Sequence, residues 1–167
     1  MREARHIEKI TGAPPLVISN GISKIKLKDL KALKVFDVGN SINMAYIGNV
    51  GIAQDLDTLI DFSKEVDNIT ITIVGDGAKL SKLKKRCFDE GLENVFFTGL
   101  VSSAMVLEYI EQADILFAQI GPDFSSAVPT KIFEYIASGR PVLLGLPNGP
   151  AKEIFSEFKC LEIFDTG

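Results

Sequence analysis

From Ile42 onward, short runs of β-branched and aromatic residues alternate with segments of helical period, and this alternation restricts the chain to a parallel sheet covered by helices. The strand-like runs fall at residues 16–19, 42–47, 69–74, 95–98, 115–120, 141–144 and 161–164, most of them dense in Ile, Val, Leu and Phe. Strands buried on both faces read this way, whereas a sheet with one wet face alternates apolar with polar residues. Between the runs, Leu56, Leu59, Ile60 and Val66 share one helical face, as do Leu80, Leu83 and Cys87. Further helices are expected at 105–112, 132–138 and 151–158, with Gly139 placed to stop the middle one. The expected architecture is a single α/β domain over residues 1–167, a Rossmann-like doubly wound parallel sheet of about six strands with helices on both faces. Residues 22–34 break the pattern: they carry Lys24, Lys26, Lys28, Lys31 and Lys34 without a clear period and read as an irregular entry segment.

A chain of 167 residues, 46% of them hydrophobic, has enough apolar surface for one core, so neither a disulfide nor a metal is required to hold it. Cys87 and Cys160 form no ligand pattern, as expected of free thiols in a reducing compartment. The net charge of −4, with basic residues scattered among acidic ones, argues against a nucleic-acid partner. The opening residues are too polar for a secretion signal, and the longest apolar runs fall short of the ~20 residues a spanning helix needs. A cytoplasmic protein is expected, with any membrane contact peripheral and made through a longer enzyme. The helical character of the first residues and the stop at Asp165-Thr166-Gly167 read as a truncated or excised domain.

Ligands bind outside the carboxyl ends of the strands in an open parallel sheet, which directs attention to the strand-to-helix turns. Four are rich in glycine or lead into a helix: Ile47-Gly48-Asn49-Val50-Gly51, Val74-Gly75-Asp76-Gly77, Thr98-Gly99-Leu100-Val101, and Gly121-Pro122 leading to Val128-Pro129-Thr130-Lys131. Glycine lets backbone approach a phosphate and aim N–H groups at it, and a following helix adds its positive end. Neither of the first two turns completes a dinucleotide fingerprint, because Gly75-Asp76-Gly77 lacks a third glycine and no acid stands at the ribose distance. Taken singly, each is equally a tight turn with no ligand. The last segment says more. Pro129 suits a first helical turn and leaves the N–H groups of Thr130 and Lys131 at its open end. Lys131 adds a full charge, and Glu134 lies on the same helical face, ~5–6 Å further along. Phosphates would meet the helix end while the carboxylate accepts from ribose hydroxyls. On this segment alone, a capped surface helix with a Lys/Glu pair is the favoured reading.

Taken in order, these stretches resemble the second, nucleotide-sugar-binding domain of GT-B-type retaining glycosyltransferases (glycosyl transferases group 1, family 4-like). The resemblance rests on VISNGI at 17–22, AYIGNVGIAQ at 45–54, IVGDG at 73–77, VFFTGLV at 95–101, YIEQADI at 109–115 and, most specifically, PTKIFEYIASGRPV at 129–142. It implies Lys131 and Glu134 as the catalytic candidates, with Glu134 on the donor ribose and Lys131 and the Thr130 backbone near the diphosphate. It places the Gly99, Leu100 and Val101 backbone beside the base. It also makes Gly48, Asn49, Gly51, Gln54, Gly75, Gly77, Ser126 and Pro129 part of the nucleotide-sugar site. No metal and no cofactor are implied; the helix dipole and cationic groups would stabilise the departing diphosphate.

Many members carry Arg and Lys where this chain has Asn49 and Gln54, and a second Glu where it has Ser126. The pattern is closer to a subgroup acting on bacterial surface polysaccharides with amino-deoxysugar donors. The implied partners are a nucleotide-sugar donor, with a UDP-sugar favoured, and an amino-terminal acceptor-binding domain or subunit. Without the latter, the fragment is expected to bind donor and transfer nothing.

Other readings of the same residues are weaker. Asp55-Leu56-Asp57 resembles a metal-binding Asp-x-Asp, but both acids are expected in the first turn of a helix, where carboxylates are favoured anyway. His6 is the only histidine, which leaves little for a triad or a zinc site. Lys82, Lys84, Lys85 and Arg86 read as a solvated helix face. Two alternatives of function are a natural donor-binding subunit of a split glycosyltransferase and a sugar-nucleotide epimerase-like domain; the latter would be expected to offer more acids and histidines for proton transfer.

Overall fold

The computed structural model describes residues 2–13 and 41–167. The strand expected at 16–19 and the Lys-rich segment at 22–34 lie outside these residues. Helix α1 (Arg2–Thr11) is followed by β1 (Ile42–Ile47), α2 (Asp57–Glu65), β2 (Ile69–Val74), α3 (Leu80–Asp89), β3 (Val95–Gly99) and α4 (Ser103–Gln112). Then come β4 (Ile115–Gln119), a 3₁₀ turn (Pro122–Phe124), α5 (Lys131–Ser138), β5 (Val142–Leu146), α6 (Pro150–Phe155) and β6 (Leu161–Asp165).

The strands form one six-stranded sheet in the order β3-β2-β1-β4-β5-β6, and every pairing is parallel. From β1 the chain winds outward through β2 and β3, returns through α4 to β4 beside β1, and winds outward the other way. Right-handed crossovers then put the helices of the two halves on opposite faces. Leu59 and Ile60 of α2 and Leu83 and Cys87 of α3 pack with Met44, Tyr46, Ile71, Ile73 and Phe117 on one face. Ile110 of α4, Ile132 and Tyr135 of α5, and Phe155 of α6 pack with Ala45, Ile47, Leu116, Val142 and Leu144 on the other. Consecutive residues of β1 and of β4 thus feed different clusters, which is why residues 44–47 and 115–118 read as apolar runs.

β2 departs from that expectation. Ile69, Ile71 and Ile73 are buried on the first face, while Thr70 and Thr72 are only partly buried on the second. Its Ile/Thr alternation records a face that thins toward the β3 edge. Several boundaries also shift by a few residues: β4 stops at Gln119, β5 runs on to Leu146, and α6 ends at Phe155, three residues short of the expected 158. Gly139 does end α5, in the left-handed conformation at φ 74°. No helix among the described residues is long and apolar enough to cross a membrane.

Candidate functional site

The strand order reverses between β1 and β4, and there the two strands part. Their pairing ends at Tyr46 and Phe117, so the ladder offers no further rung to the carbonyl of the next residue of β1, Ile47. The Tyr135 hydroxyl of α5 takes both of its groups, accepting from the Ile47 N–H at 2.9 Å and donating to the Ile47 carbonyl at 3.1 Å. Above this point lies a cavity of about 320 Å³. Gly48, Asn49 and Gln54 form one wall, and Pro129, Thr130 and Lys131 form another. This is the crevice at which open α/β sheets bind ligands.

The first wall is held rigidly. Gly48 N–H donates to the Val74 carbonyl and Val50 N–H to the Asp76 carbonyl, both at 2.9 Å. The Tyr46 hydroxyl reaches back to the Asn49 carbonyl at 2.6 Å, and burial pushes this phenol well above its ordinary pKa, so it remains a donor. Gln54 Oε1 accepts from Gly51 N–H at 3.2 Å and from the Asn49 amide at 3.3 Å. On the far side, Gln119, 3% exposed, donates through Nε2 to the Asp55 carbonyl and the Thr58 hydroxyl. Gly121 N–H donates to the Ala53 carbonyl.

Gly75 and Gly77 have a packing reason for being glycine. A Cβ on Gly75 would stand 1.9 Å from the Gly48 carbonyl oxygen, and one on Gly77 would stand 2.4 Å from that of Val50. Gly75 also has φ 132°, and its N–H donates to the Gly99 carbonyl. The second turn is thus pressed against the back of the first, and neither glycine lines the cavity.

Helix α5 begins at Lys131, with Thr130 as its cap residue, so Pro129 stands one position before the cap and outside the first turn. The first turn closes by weak three-residue bonds from Ile132 to Pro129 and Phe133 to Thr130, so a tight turn through Pro129 precedes the helix proper. The N–H groups of Thr130 and Lys131 still face the open end, with no backbone partner among the described residues. Lys131 lines the cavity and pairs with Glu134, which lies one turn further along and outside the lining.

The structure therefore gathers Gly48, Asn49, Gln54, Pro129, Thr130 and Lys131 at one cavity. It sets Gly51 in a neighbouring cleft of about 190 Å³ with Asp55, Lys79 and Phe124. Gly99, Leu100 and Val101 sit at the β3 end, with Leu100 81% exposed, and Ser126 is exposed before α5; none of them lines the switch-point cavity. Of the two acids in Asp55-Leu56-Asp57, only Asp57 is helical; Asp55 precedes the cap at φ 43°. Asp57 is taken up by Arg86, and no group of acids, histidines and cysteines able to hold a metal occurs among the described residues. Arg86 is accordingly packed in an ion-pair cluster, while Lys82, Lys84 and Lys85 form the exposed face that was expected. Sequence reasoning did not single out Tyr46, Gln119 or Tyr135. The available signal was a pair of buried tyrosines, since a buried hydroxyl needs a partner.

Residues 42–157 match the family model described as Glycosyl transferases group 1. The chain belongs to this family. WaaG, a glycosyltransferase involved in lipopolysaccharide biosynthesis, is similar to this group 1 domain with a TM-score of 0.71 at 16% identity, over 96% of this chain and 46% of WaaG. The lipopolysaccharide outer core galactosyltransferase WaaB gives 0.66 at 19% identity, over 92% and 43%. HepE of Anabaena, solved in complex with UDP and glucose, gives 0.62 at 19% identity, over 84% and 40%. These likenesses show the fold, a Rossmann-like domain of the GT-B kind, and the group 1 chain spans less than half the length of each of the three. No curated protein matches it in sequence.

Proposed function

We propose that this domain binds a nucleotide-sugar donor, with a UDP-sugar favoured, in the crevice between β1 and β4. The observation that carries the proposal is the meeting of the Gly48-Asn49 turn with the Thr130-Lys131 end of α5 across one cavity at the switch point. A diphosphate there would accept from the Thr130 and Lys131 N–H groups and face the Lys131 ammonium. Glu134 would accept from the ribose hydroxyls, and the Gly99-Leu100-Val101 backbone would run beside the base. During transfer, negative charge grows on the leaving diphosphate, and the helix end and Lys131 are aimed at it beforehand. Family membership and the UDP held by HepE support this reading.

In this proposal the acceptor comes from an amino-terminal domain or a separate subunit, and the product is a cell-surface polysaccharide or glycoconjugate carrying a transferred hexose or amino-deoxysugar. No metal is required. Calorimetric titration of the 167-residue chain with UDP, GDP and ADP, with and without a chelator, tests the proposal. UDP is expected to bind most tightly and to be indifferent to the chelator. No binding of any of them at millimolar concentration would retire it.

A further inference from the structure

Most strand residues at a sheet's carboxyl end hand their backbone groups to a neighbouring strand or to solvent. Ile47 is where that arrangement stops on the β4 side. It is 4% exposed, and the parallel ladder ends at Tyr46 and Phe117, so its carbonyl meets no further rung of β4. A buried carbonyl left without a partner would be destabilising. The Tyr135 hydroxyl bonds the Ile47 N–H and C=O as acceptor and donor at once, at 2.9 and 3.1 Å, from a side chain that is 0% exposed and sits on the helix carrying Lys131 and Glu134.

We propose that Tyr135 is a positioning residue of the site: its hydroxyl bonds both backbone groups of Ile47 where the β1–β4 ladder ends and thereby fixes the two walls of the crevice relative to each other. Ile47 leads directly into Gly48-Asn49, and Tyr135 adjoins Glu134 and lies one turn from Lys131. The two hydrogen bonds are thus a short polar link between the turn and the helix, within a contact otherwise made of nondirectional apolar packing. A ring without the hydroxyl could slide along β1 at small energetic cost. With it, the distance between the turn and the helix end is set by bond lengths. Tyr46 pins the same turn from the opposite face through the Asn49 carbonyl, so the turn cannot take up a shift of the helix by moving with it. Burial holds the Tyr135 phenol far above its ordinary pKa, so it stays protonated and able to donate at any working pH. Tyr135 borders the cavity, and by this role it acts through the placement of the groups on either wall.

The inference rests on the donor-site reading for its consequence, but its geometry can be tested separately. Tyr135→Phe removes only the hydroxyl. Two measurements are made on the 167-residue chain: amide exchange at Ile47, and UDP titration. The Ile47 N–H is expected to exchange at least about tenfold faster in the variant, and the UDP dissociation constant to rise about fivefold to tenfold. Phe155→Leu serves as a control, a core change on the same face that leaves the hydroxyl in place. It should lower the melting temperature at least as much without changing the UDP constant of the folded protein. Unchanged exchange at Ile47, unchanged UDP affinity in Tyr135→Phe, or an equal loss of affinity in Phe155→Leu would each overturn the proposal. If the unmodified chain binds no nucleotide, the donor reading fails and the positioning role fails with it. Fast Ile47 exchange in Tyr135→Phe would then show only that the hydroxyl is a structural clamp.

Discussion

Lys131 Nζ lies 3.0 Å from Glu134 Oε2, one turn along α5 and beside the cavity. The contact joins two charges without the direction of a good hydrogen bond, and the carboxylate is the more enclosed partner, its side chain 19% exposed. In the proposed donor complex, Glu134 would exchange the ammonium for ribose hydroxyls. Glu134→Ala is expected to weaken UDP binding by about 1.5–3 kcal/mol, the usual loss for a hydrogen bond to a charged group. Because the side chain is only partly exposed, the melting temperature should fall modestly, with the variant still folded. Calorimetry and a thermal melt check the two halves, and unchanged affinity would place the ribose elsewhere.

Lys131→Met keeps the stem and removes the charge. UDP affinity is expected to fall by about 1.5–3 kcal/mol at low salt, while uridine, which lacks the diphosphate, should bind as before. Titrating both ligands at two salt concentrations separates charge from shape. Equal losses for uridine and UDP would mean that Lys131 acts by packing and not by facing phosphate.

Gly75→Ala tests the reading of the second turn as a structural buttress. The added methyl would meet the Gly48 carbonyl oxygen at 1.9 Å, and alanine is strained at φ 132°. Backbone strain and overpacking each cost about 1–3 kcal/mol, so a loss of roughly 2–5 kcal/mol in stability is expected. Chemical denaturation measures it. A variant as stable as the parent would show that the two turns can separate.

The same glycine shows where the sequence stopped being informative. A glycine after a strand has one signature and two causes, room for a phosphate or room for another backbone, and only the position of Gly48 decides between them. The sheet was legible because the strands are largely apolar, but the Ile/Thr alternation of β2, the mark of a face only partly covered, was not read from the sequence. The helix start near Pro129 was found to within two residues, and its two open N–H groups were placed correctly. Tyr135 was not legible as more than core, since its hydroxyl acquires a task only where β1 and β4 part. Nor was the pairing of Arg86 with Asp57, 29 residues away, because nothing local distinguishes that arginine from its exposed neighbours.

That arginine sets a pH dependence. Arg86 pairs with Glu90, Asp61 and Asp57, and Lys64 pairs with Asp61 and Glu90, tying α3 to α2. Lys64 first and then Arg86 hold the Asp61 carboxyl below its ordinary value; Arg86 first and then Lys64 do the same for Glu90. A carboxyl with a depressed folded pKa contributes stability that is fully present above its unfolded value, roughly 4, and is lost as pH falls through the folded value. The Lys64 ammonium, raised by Asp61 first and then Glu90, works in the opposite sense: its contribution is present below roughly pH 10 and is lost as pH rises through the folded value. Asp61, Glu90 and Lys64 are exposed, so the effect is small and screened by salt. In Arg86→Leu the fall of melting temperature below about pH 4 should be shallower than in the parent, and the difference should shrink in high salt. Parallel acid melting curves for the two proteins would disprove it.

The first turn allows a gain-of-binding prediction. Gln54 is neutral, lines the cavity with Lys131, and spends its Oε1 on Gly51 N–H and the Asn49 amide. Gln54→Lys would give up that acceptor, loosening the turn by about 1 kcal/mol, and would place a second cation near the proposed diphosphate. A charge-assisted contact is commonly worth about 1.5–3 kcal/mol when partly desolvated, more than the acceptor it replaces. The expected outcome is UDP binding roughly threefold to tenfold tighter at low salt, with the advantage shrinking as salt is added, and no gain for uridine. The measurement is the same titration on parent and variant, read together with the melting temperature. A variant that melts lower but binds UDP no better would mean that the diphosphate lies out of reach of position 54. The phosphate-facing role would then rest on Thr130 and Lys131 alone.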